Sequence, residues 1–142
     1  MSTYASNIYH VGTEPGLGQL MKLVNNYLAI ASFVTASEAI AGGLQGGLDI
    51  ETMLEVINAS SGQSFVTSEV FPLYMVPERY ESGAAAVTPT KDLALFVEAA
   101  NEGQWPRALA HAALDVWQAF AERTPQADQS EIYPFVRDGG EK

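Results

Sequence analysis

The sequence predicts an all-α fold: a single domain of about six helices organised around one long, buried N-terminal helix. Three observations carry this. Apolar residues recur at helical spacing through most of the chain, with no run of alternating strands and helices. Hydrophobic residues make up 47% of the 142 residues and Ala alone occurs 20 times, which suits close-packed helices. Charged residues are only 17%, against about 25% in an ordinary globular domain. A chain with that much apolar surface and so little charge can form a core, and it does not have the composition of a disordered one.

Residues 4–11 read as a short extended lead-in with apolar groups on both faces. Residues 12–18, Gly-Thr-Glu-Pro-Gly-Leu-Gly, form a turn. A helix is expected over residues 17–41. Leu20, Leu23, Val24, Tyr27, Leu28, Ala31, Val34 and Ile40 share one broad face, while Met21, Ile30 and Phe33 occupy others. A helix apolar nearly all round is a buried one. At 1.5 Å per residue it spans about 37 Å, more than a domain of this size covers easily, so burial against a second subunit or domain is expected. The glycines at 42, 43, 46 and 47 are read as its end.

Asp49 is a good N-cap for a second helix over residues 50–59; Thr52 stands where a capping box would need Glu or Gln. Residues 60–64 form a turn before a third helix over 65–74, whose end Pro72 and Pro77 obscure. Residues 77–86 are a loop. Thr88 is read as the cap of a helix with Pro89 in its first position, running to Glu102 and stopped by Gly103. A fifth helix starts at Trp105 or Pro106 and runs to Arg123, with Leu109, Ala113, Trp117 and Phe120 on one face. A short last helix covers residues 129–136. Trp105 and Trp117 are expected in the core, His10 and His111 at or near the surface. Glu38, alone on an apolar helix, is expected to find a buried partner.

Charge and composition exclude several classes of function. Seven basic residues face 17 acidic ones, a net charge of −10, and the basic residues are scattered. Nucleic-acid binding needs a basic face, so it is not expected. The absence of Cys removes disulfides, thiolate zinc sites and cysteine nucleophiles, and two distant His make a metal site unexpected. The first 16 residues contain no apolar signal region. The longest uncharged stretch, residues 23–37, is interrupted by Asn25, Asn26, Ser32, Thr35 and Ser37, too polar to read as a membrane span. A soluble, cytoplasmic protein with no membrane partner is the expectation.

A strand-like lead-in followed by Gly16-Leu17-Gly18 and a helix imitates a dinucleotide fingerprint. Met21 occupies the third glycine position and no second parallel strand follows, so it is not a self-contained cofactor site. The informative constellation is Gly16-x-Gly18-x-x-x-Lys22-x-x-Asn25-Asn26. Lys22 and Asn26 are four apart and share a face near the helix N-terminus. Lys22 is the only basic residue among the first 78 and has no acidic residue three or four positions away. Such a lysine either extends to solvent or is held for a ligand. Two adjacent Asn inside a helix are poor helix formers; they are either satisfied core amides or ligand-binding groups.

This motif opening a long helix resembles the C-terminal domain of the β-hydroxyacid dehydrogenases, the 3-hydroxyisobutyrate dehydrogenase and tartronate semialdehyde reductase family, similar also to the C-terminal domain of 6-phosphogluconate dehydrogenase. Glu38-Ala39, Gly47-Leu48-Asp49, Ser60-Ser61-Gly62-Gln63-Ser64, Lys91-Asp92-Leu93 and Gly103-x-x-Pro106 continue the resemblance in order, over residues 8 to 136. It implies an NAD(P)-dependent oxidoreductase acting on a small 3-hydroxy acid or semialdehyde, with the active site between a Rossmann-type domain and this helical one. It implies that Lys22 is the catalytic lysine, giving a proton to the carbonyl oxygen as hydride arrives from NAD or NADP and accepting it back in oxidation. It further implies that Gly18, Asn25 and Asn26 bind substrate, that Lys91 approaches the cofactor, and that the long helix forms a homodimer.

On this reading residues 1–15 are the end of a Rossmann domain not otherwise present, and residues 16–142 are the helical substrate-binding and dimerisation domain, inactive by itself. Imine-reducing relatives usually replace the lysine; its retention favours hydroxyacid chemistry. Upstream of Lys91 the family usually has a Phe and long apolar residues. Here residues 84–90 are Ala-Ala-Ala-Val-Thr-Pro-Thr, which leaves the pocket wall and the substrate open. The alternative is a non-catalytic helical dimer or partner-binding module that keeps the fold.

Overall fold

The computed structural model describes residues 8–140. The expected lead-in therefore lies partly outside the described residues; its remainder, 8–11, is exposed and irregular. Helix α1 covers Leu17–Gln45, α2 Ile50–Asn58, α3 Val87–Glu102, α4 Ala108–Arg123 and α5 Ile132–Arg137. A π-helix, Val66–Met75, lies between α2 and α3, and a 3₁₀ turn, Gln129–Glu131, leads into α5. No strand occurs among the described residues; an isolated antiparallel bridge joins Ala85 to Asp128. The architecture is the expected helical domain, with the other helices and the π-helix packed around α1.

Burial on α1 is concentrated in its second half: Ile30, Ala31, Phe33, Val34, Ala36, Ser37, Ile40 and Ala41 are buried. They meet Val66, Val70, Phe71 and Met75 of the π-helix, Leu93 and Phe96 of α3, Trp117 and Phe120 of α4 and Ile132 of α5 in one core. The N-terminal half of α1 is half-buried or exposed throughout residues 17–29.

Several element ends differ from the sequence reading. Gly42 and Gly43 do not end α1; it continues to Gln45. The stop is set by Gly47, whose φ of 91° reverses the chain, with Leu48 N–H bonding Gly43 O at 2.9 Å and Gly47 N–H bonding Leu44 O at 3.0 Å. Asp49 caps α2 as expected, accepting from Thr52 N–H at 2.9 Å.

The third helix passes through Pro72 because it is π-wound. In an α-helix the proline ring would strike the carbonyl four residues earlier. The spacing here is five residues, as in Val76 N–H to Phe71 O at 2.8 Å, and Thr67 O, to which Pro72 has no N–H to give, accepts from Asn58 Nδ2–H at 2.9 Å. Ser64 and Thr67 exchange hydrogen bonds at its start, Ser64 N–H to Thr67 Oγ1 at 2.9 Å and Thr67 N–H to Ser64 Oγ at 3.2 Å.

Thr88 does not cap α3. Ala86 stands at the cap position, and its N–H bonds Ala127 O at 2.9 Å, so the start of α3 is fixed by the distant segment that precedes the 3₁₀ turn rather than by a local side chain. Gly103 stops α3 as expected, standing at its C-cap, and Gln104 then turns the chain at φ 54°. Gly103 is needed for space, since a Cβ there would lie 2.3 Å from Trp105 Nε1. The indole folds back on α3, 6.2 Å from Phe96, so α4 begins only at Ala108. Trp105 is accordingly half-buried, whereas Trp117 is fully buried.

Asp128 is the main stitch between distant segments. It accepts from Ser130 N–H at 2.9 Å, Ser82 Oγ–H at 2.7 Å and Gly83 N–H at 3.0 Å. Its own N–H bonds Glu131 Oε1 at 3.0 Å, completing a capping box. Partial burial pushes its carboxyl up, but the hydrogen bonds from Ser130, Ser82 and Gly83 outweigh this and hold its pKa at about 2. The folded pKa thus lies below the ordinary 3.8, so the stabilisation is present above that pH and is lost as pH falls toward 2. Asp128→Ala is expected to lower unfolding free energy by about 1–2 kcal/mol in urea titrations at pH 7, with the difference from the parent shrinking as pH falls from 4 to 2.

Candidate functional site

The residues singled out in the sequence lie where the uncovered half of α1 meets the first turns of α3. Lys22 is exposed on α1, and Asn26 sits one turn further on, half-buried. Asn26 Nδ2–H donates to Asp92 Oδ2 of α3 at 2.9 Å. Directly beside this bridge Tyr27 stacks on Phe96, ring centroids 4.3 Å apart and 15° from parallel. Adjacent residues on α1 thus meet residues one turn apart on α3, which sets the register of the two helices. Lys91, next to Asp92, is exposed on α3.

Gly18 is exposed, with no atom within 4 Å of the position a Cβ would take, so the turn before Lys22 stays open. Asn25 is exposed and makes no side-chain hydrogen bond among the described residues; it shares a face with Met21 and Leu28 rather than with the bridge. The structure therefore joins Asn26 to α3 and places Lys22 and Lys91 near that junction, while Asn25 and Gly18 remain on its open rim. Among the described residues the ion pair present is Arg137–Asp138, at 2.8 Å, so neither Lys22 nor Lys91 has a carboxylate within 4.0 Å.

Beside the bridge lies an open hollow of about 230 Å³ lined by Asn26, Ala29, Ile30, Ala84, Thr88, Pro89, Asp92 and Gln129. Three larger hollows, two of about 350 and 340 Å³ beside α5 and one of about 240 Å³ between α1 and the residues around Ser64, contain none of the residues around Lys22. The smaller one is the relevant space because it adjoins the Asn26 amide and the Asp92 carboxylate. Glu38 sits exposed on the rim of the 350 Å³ hollow, with no hydrogen-bond partner among the described residues, which corrects the expectation of a buried partner. Its neighbours Ser37 and Ile40 take the buried side of the helix instead. His10 and His111 are both exposed, and no cluster of metal-ligating side chains occurs among the described residues.

Asp92, Thr88, Ala84 and Gln129 were not singled out as site residues. Asp92 was visible only as part of Lys91-Asp92-Leu93. Gln129 reaches the hollow through a long-range link, its N–H bonding Ala84 O at 2.8 Å. Chemically, the arrangement offers an oriented amide and a carboxylate beside an open hollow, with two ammonium groups, Lys22 and Lys91, close to these residues along α1 and α3 and without an ion-pair partner among the described residues. Such a set can hold a small anionic molecule and exchange a proton with it.

Fold and site together define a helical domain that presents a polar site at the free end of its central helix. The chain belongs to the 3-hydroxyisobutyrate dehydrogenase family: the family model described as NAD-binding of NADP-dependent 3-hydroxyisobutyrate dehydrogenase matches residues 16–136. It is 33% identical over 118 residues to 2-(hydroxymethyl)glutarate dehydrogenase of Eubacterium barkeri, covering 83% of this chain and 39% of that protein. It is 30% identical over 138 residues to the mitochondrial 3-hydroxyisobutyrate dehydrogenase of Drosophila melanogaster, covering 92% and 42%.

The crystal structure of 3-hydroxyisobutyrate dehydrogenase from Salmonella typhimurium superposes with a TM-score of 0.81 at 27% identity, over 92% of this chain and 46% of that one. The Mycobacterium tuberculosis 3-hydroxyisobutyrate dehydrogenase, solved with L-serine, shares the fold at a TM-score of 0.84 and 23% identity, over 94% and 47%. The chain thus spans less than half the length of these relatives.

Proposed function

We propose that this chain is the substrate-binding and dimerisation part of an NAD(P)-dependent 3-hydroxyacid dehydrogenase. The observation that carries the reading is Lys22: an ammonium with no carboxylate partner among the described residues, on an open rim, one turn from an amide anchored by Asp92. Residues 16–142 form the helical part, and residues 1–15 are read as the end of a Rossmann-type nucleotide-binding domain. The exposure of Ile8 and Tyr9, 91% and 79%, supports a covering partner there.

In reduction Lys22 Nζ gives a proton to the substrate's carbonyl oxygen; in oxidation it takes the proton from the hydroxyl. Asn26 spends one N–H on Asp92, leaving its second N–H and Oδ1 to hold the substrate. Gly18 leaves room for the substrate to approach, while Asn25, on the face of Met21 and Leu28, lies toward the dimer seam rather than beside Asn26. Lys91, an exposed cation on α3, is the residue here that would meet a nicotinamide dinucleotide, with its neighbour Asp92 held back by its bond to Asn26. When bound, that cofactor supplies or accepts the hydride. The Rossmann-type partner holds most of it, and Lys91 contributes a charge at its edge.

The dimer is supported by α1 itself. Met21, Leu28, Thr35 and Gly42 recur every seven residues, with Asn25, Ser32 and Ala39 between them, and all but the half-buried Ser32 are exposed. This is the spacing of a helix–helix seam. By length and hydropathy α1 would also suffice to cross a membrane, its most apolar 18 residues averaging 1.4. Its packing as the central helix supports a soluble core helix instead, with the exposed stripe covered by a second copy.

With the chain joined to the nucleotide-binding half of one of the relatives above, Lys22→Ala is expected to lower kcat for a 3-hydroxyacid about 10²–10⁴-fold with KM little changed. A loss below about threefold would remove Lys22 from the chemistry. Light scattering at micromolar concentration is expected to give a dimer, and Leu28→Glu a monomer; a monomeric parent chain contradicts the seam.

A further inference from the structure

The exposed stripe of α1 is graded in size along the helix. Its first half carries Leu28 and Met21, 65% and 47% exposed, and its second half carries Ser32, Thr35, Ala39, Gly42 and Gly46. Ser32, Thr35, Ala36 and Ala39 stand at positions i, i+3, i+4 and i+7 and line one side of a hollow of about 240 Å³, with Ile57, Ser64 and Thr67 on its other side. Four residues at that spacing form the hole into which a facing helix sets one side chain. The Ser32 and Thr35 hydroxyls donate to Ala29 O at 2.7 Å and Ala31 O at 3.4 Å, so neither needs a partner from outside.

Seven residues further on, Ala39, Gly42, Gly43 and Gly46 form a second such hole. A glycine inside a helix weakens it, so each needs a reason. Gly43 has one within the chain, since a Cβ there would strike Met53 Sδ. Gly42 has none: it is exposed, and a Cβ there would meet no atom of the described residues within 4 Å. A close neighbour from outside the chain supplies the reason. The stripe carries no ionisable side chain, so two copies with a net charge of −10 each can approach along it.

Leu28 and Met21 are seven residues apart, the same spacing as the two holes. Parallel pairing would set Leu28 on Leu28 and Gly42 on Gly42, crowding one end of the seam and leaving a void at the other. An antiparallel pair centred on Leu28 would again oppose the two leucines and leave the glycine hole empty. An antiparallel pair centred on Ser32 sets Leu28 over the Ser32–Ala39 hole and Met21 over the Ala39–Gly46 hole, filling both at once. We infer that two copies of this chain pair antiparallel through α1, with Ser32 at the two-fold axis and with Leu28 and Met21 of each copy seated in the two small-residue holes of the other. The inference rests on the reading of α1 as the dimer helix and adds its direction and register. It sets the two Lys22 at opposite ends of the seam, about 30 Å apart along it.

The chain contains no Cys, so single cysteines placed in the full chain report the pairing without background. Under oxidation at micromolar concentration Ser32→Cys is expected to link to its own copy. Asn25→Cys and Ala39→Cys are each expected not to self-link, since each stands about 21 Å from its copy along the seam. Mixed together, with a size tag on one, they are expected to link to each other. Gly42→Leu, which fills a hole without touching the chain's own fold, is expected to keep the parent's circular dichroism and weaken dimerisation at least about tenfold in sedimentation.

Self-linking of Asn25→Cys and Ala39→Cys marks a parallel pair and overturns the inference. A link between Asn25→Cys and Ser32→Cys marks the register centred on Leu28 and overturns it too. So does a dimer with no link at Ser32→Cys, or a folded Gly42→Leu that dimerises as tightly as the parent. In all of these the chain is still a dimer and only the pairing fails. A monomeric parent chain ends the dimer reading and the pairing together.

Discussion

The structure depends on a hydrogen bond at the middle of α1: Trp117 Nε1–H donates to the backbone carbonyl of Ile30 at 3.1 Å, deep in the core. Trp117 is fully buried, edge-on to Phe33 at 5.8 Å and tilted on Phe120 at 6.0 Å. Its own carbonyl accepts from Thr90 Oγ1–H of α3 at 3.3 Å. One residue of α4 therefore pins α1 and α3 together. Burying the indole contributes a few kcal/mol and its N–H needs a partner there, so α4 cannot slide along α1 without losing both. From Ile30 onward one side of α1 is buried in the core; before it no residue of α1 is fully buried, and only Leu23, Val24 and Tyr27 pack against the core's edge.

That division explains how a largely apolar helix can carry a site. The first half of α1 projects beyond the cover of the other helices, and α3 reaches it only along one line. The Tyr27–Phe96 stack and the Asn26–Asp92 bond fix that line, leaving Lys22 a turn further out in the open. The far wall is supplied from elsewhere in the chain through Asp128, whose four partners join the loop before α3 to the turn before α5. Packing, register and site are consecutive consequences of where α1 runs out of neighbours.

Much of this was legible in the residues. The helix count, the Asp49 cap and the shared face of Lys22 and Asn26 follow from local pattern; the exposure of Lys22 does not. What was not legible came from contacts between distant residues. The bridge to Asp92 spans 66 positions and leaves no local trace. Ala86 caps α3 because Ala127 is brought to it, whereas the local signal favoured Thr88 and Pro89. Pro72 reads as a helix breaker until the winding itself is known to widen. The Asp128–Glu131 capping box was a local signal, Asp with Glu three residues on, and a stricter reading would have found it. Glu38 misled because the apolar surroundings along the sequence said nothing of which face the core would take.

The central claim is that α1 divides at Ile30 into a packed half and a half completed from outside the chain. Amide hydrogen exchange along this helix tests it most directly. Amides of residues 34–41 are expected to exchange at least about 100-fold more slowly than those of residues 20–26 in the chain alone. The latter should slow when a nucleotide-binding partner and a 3-hydroxy acid are added. Equal protection along the whole of α1, or no change in residues 20–26 on that addition, would contradict the account.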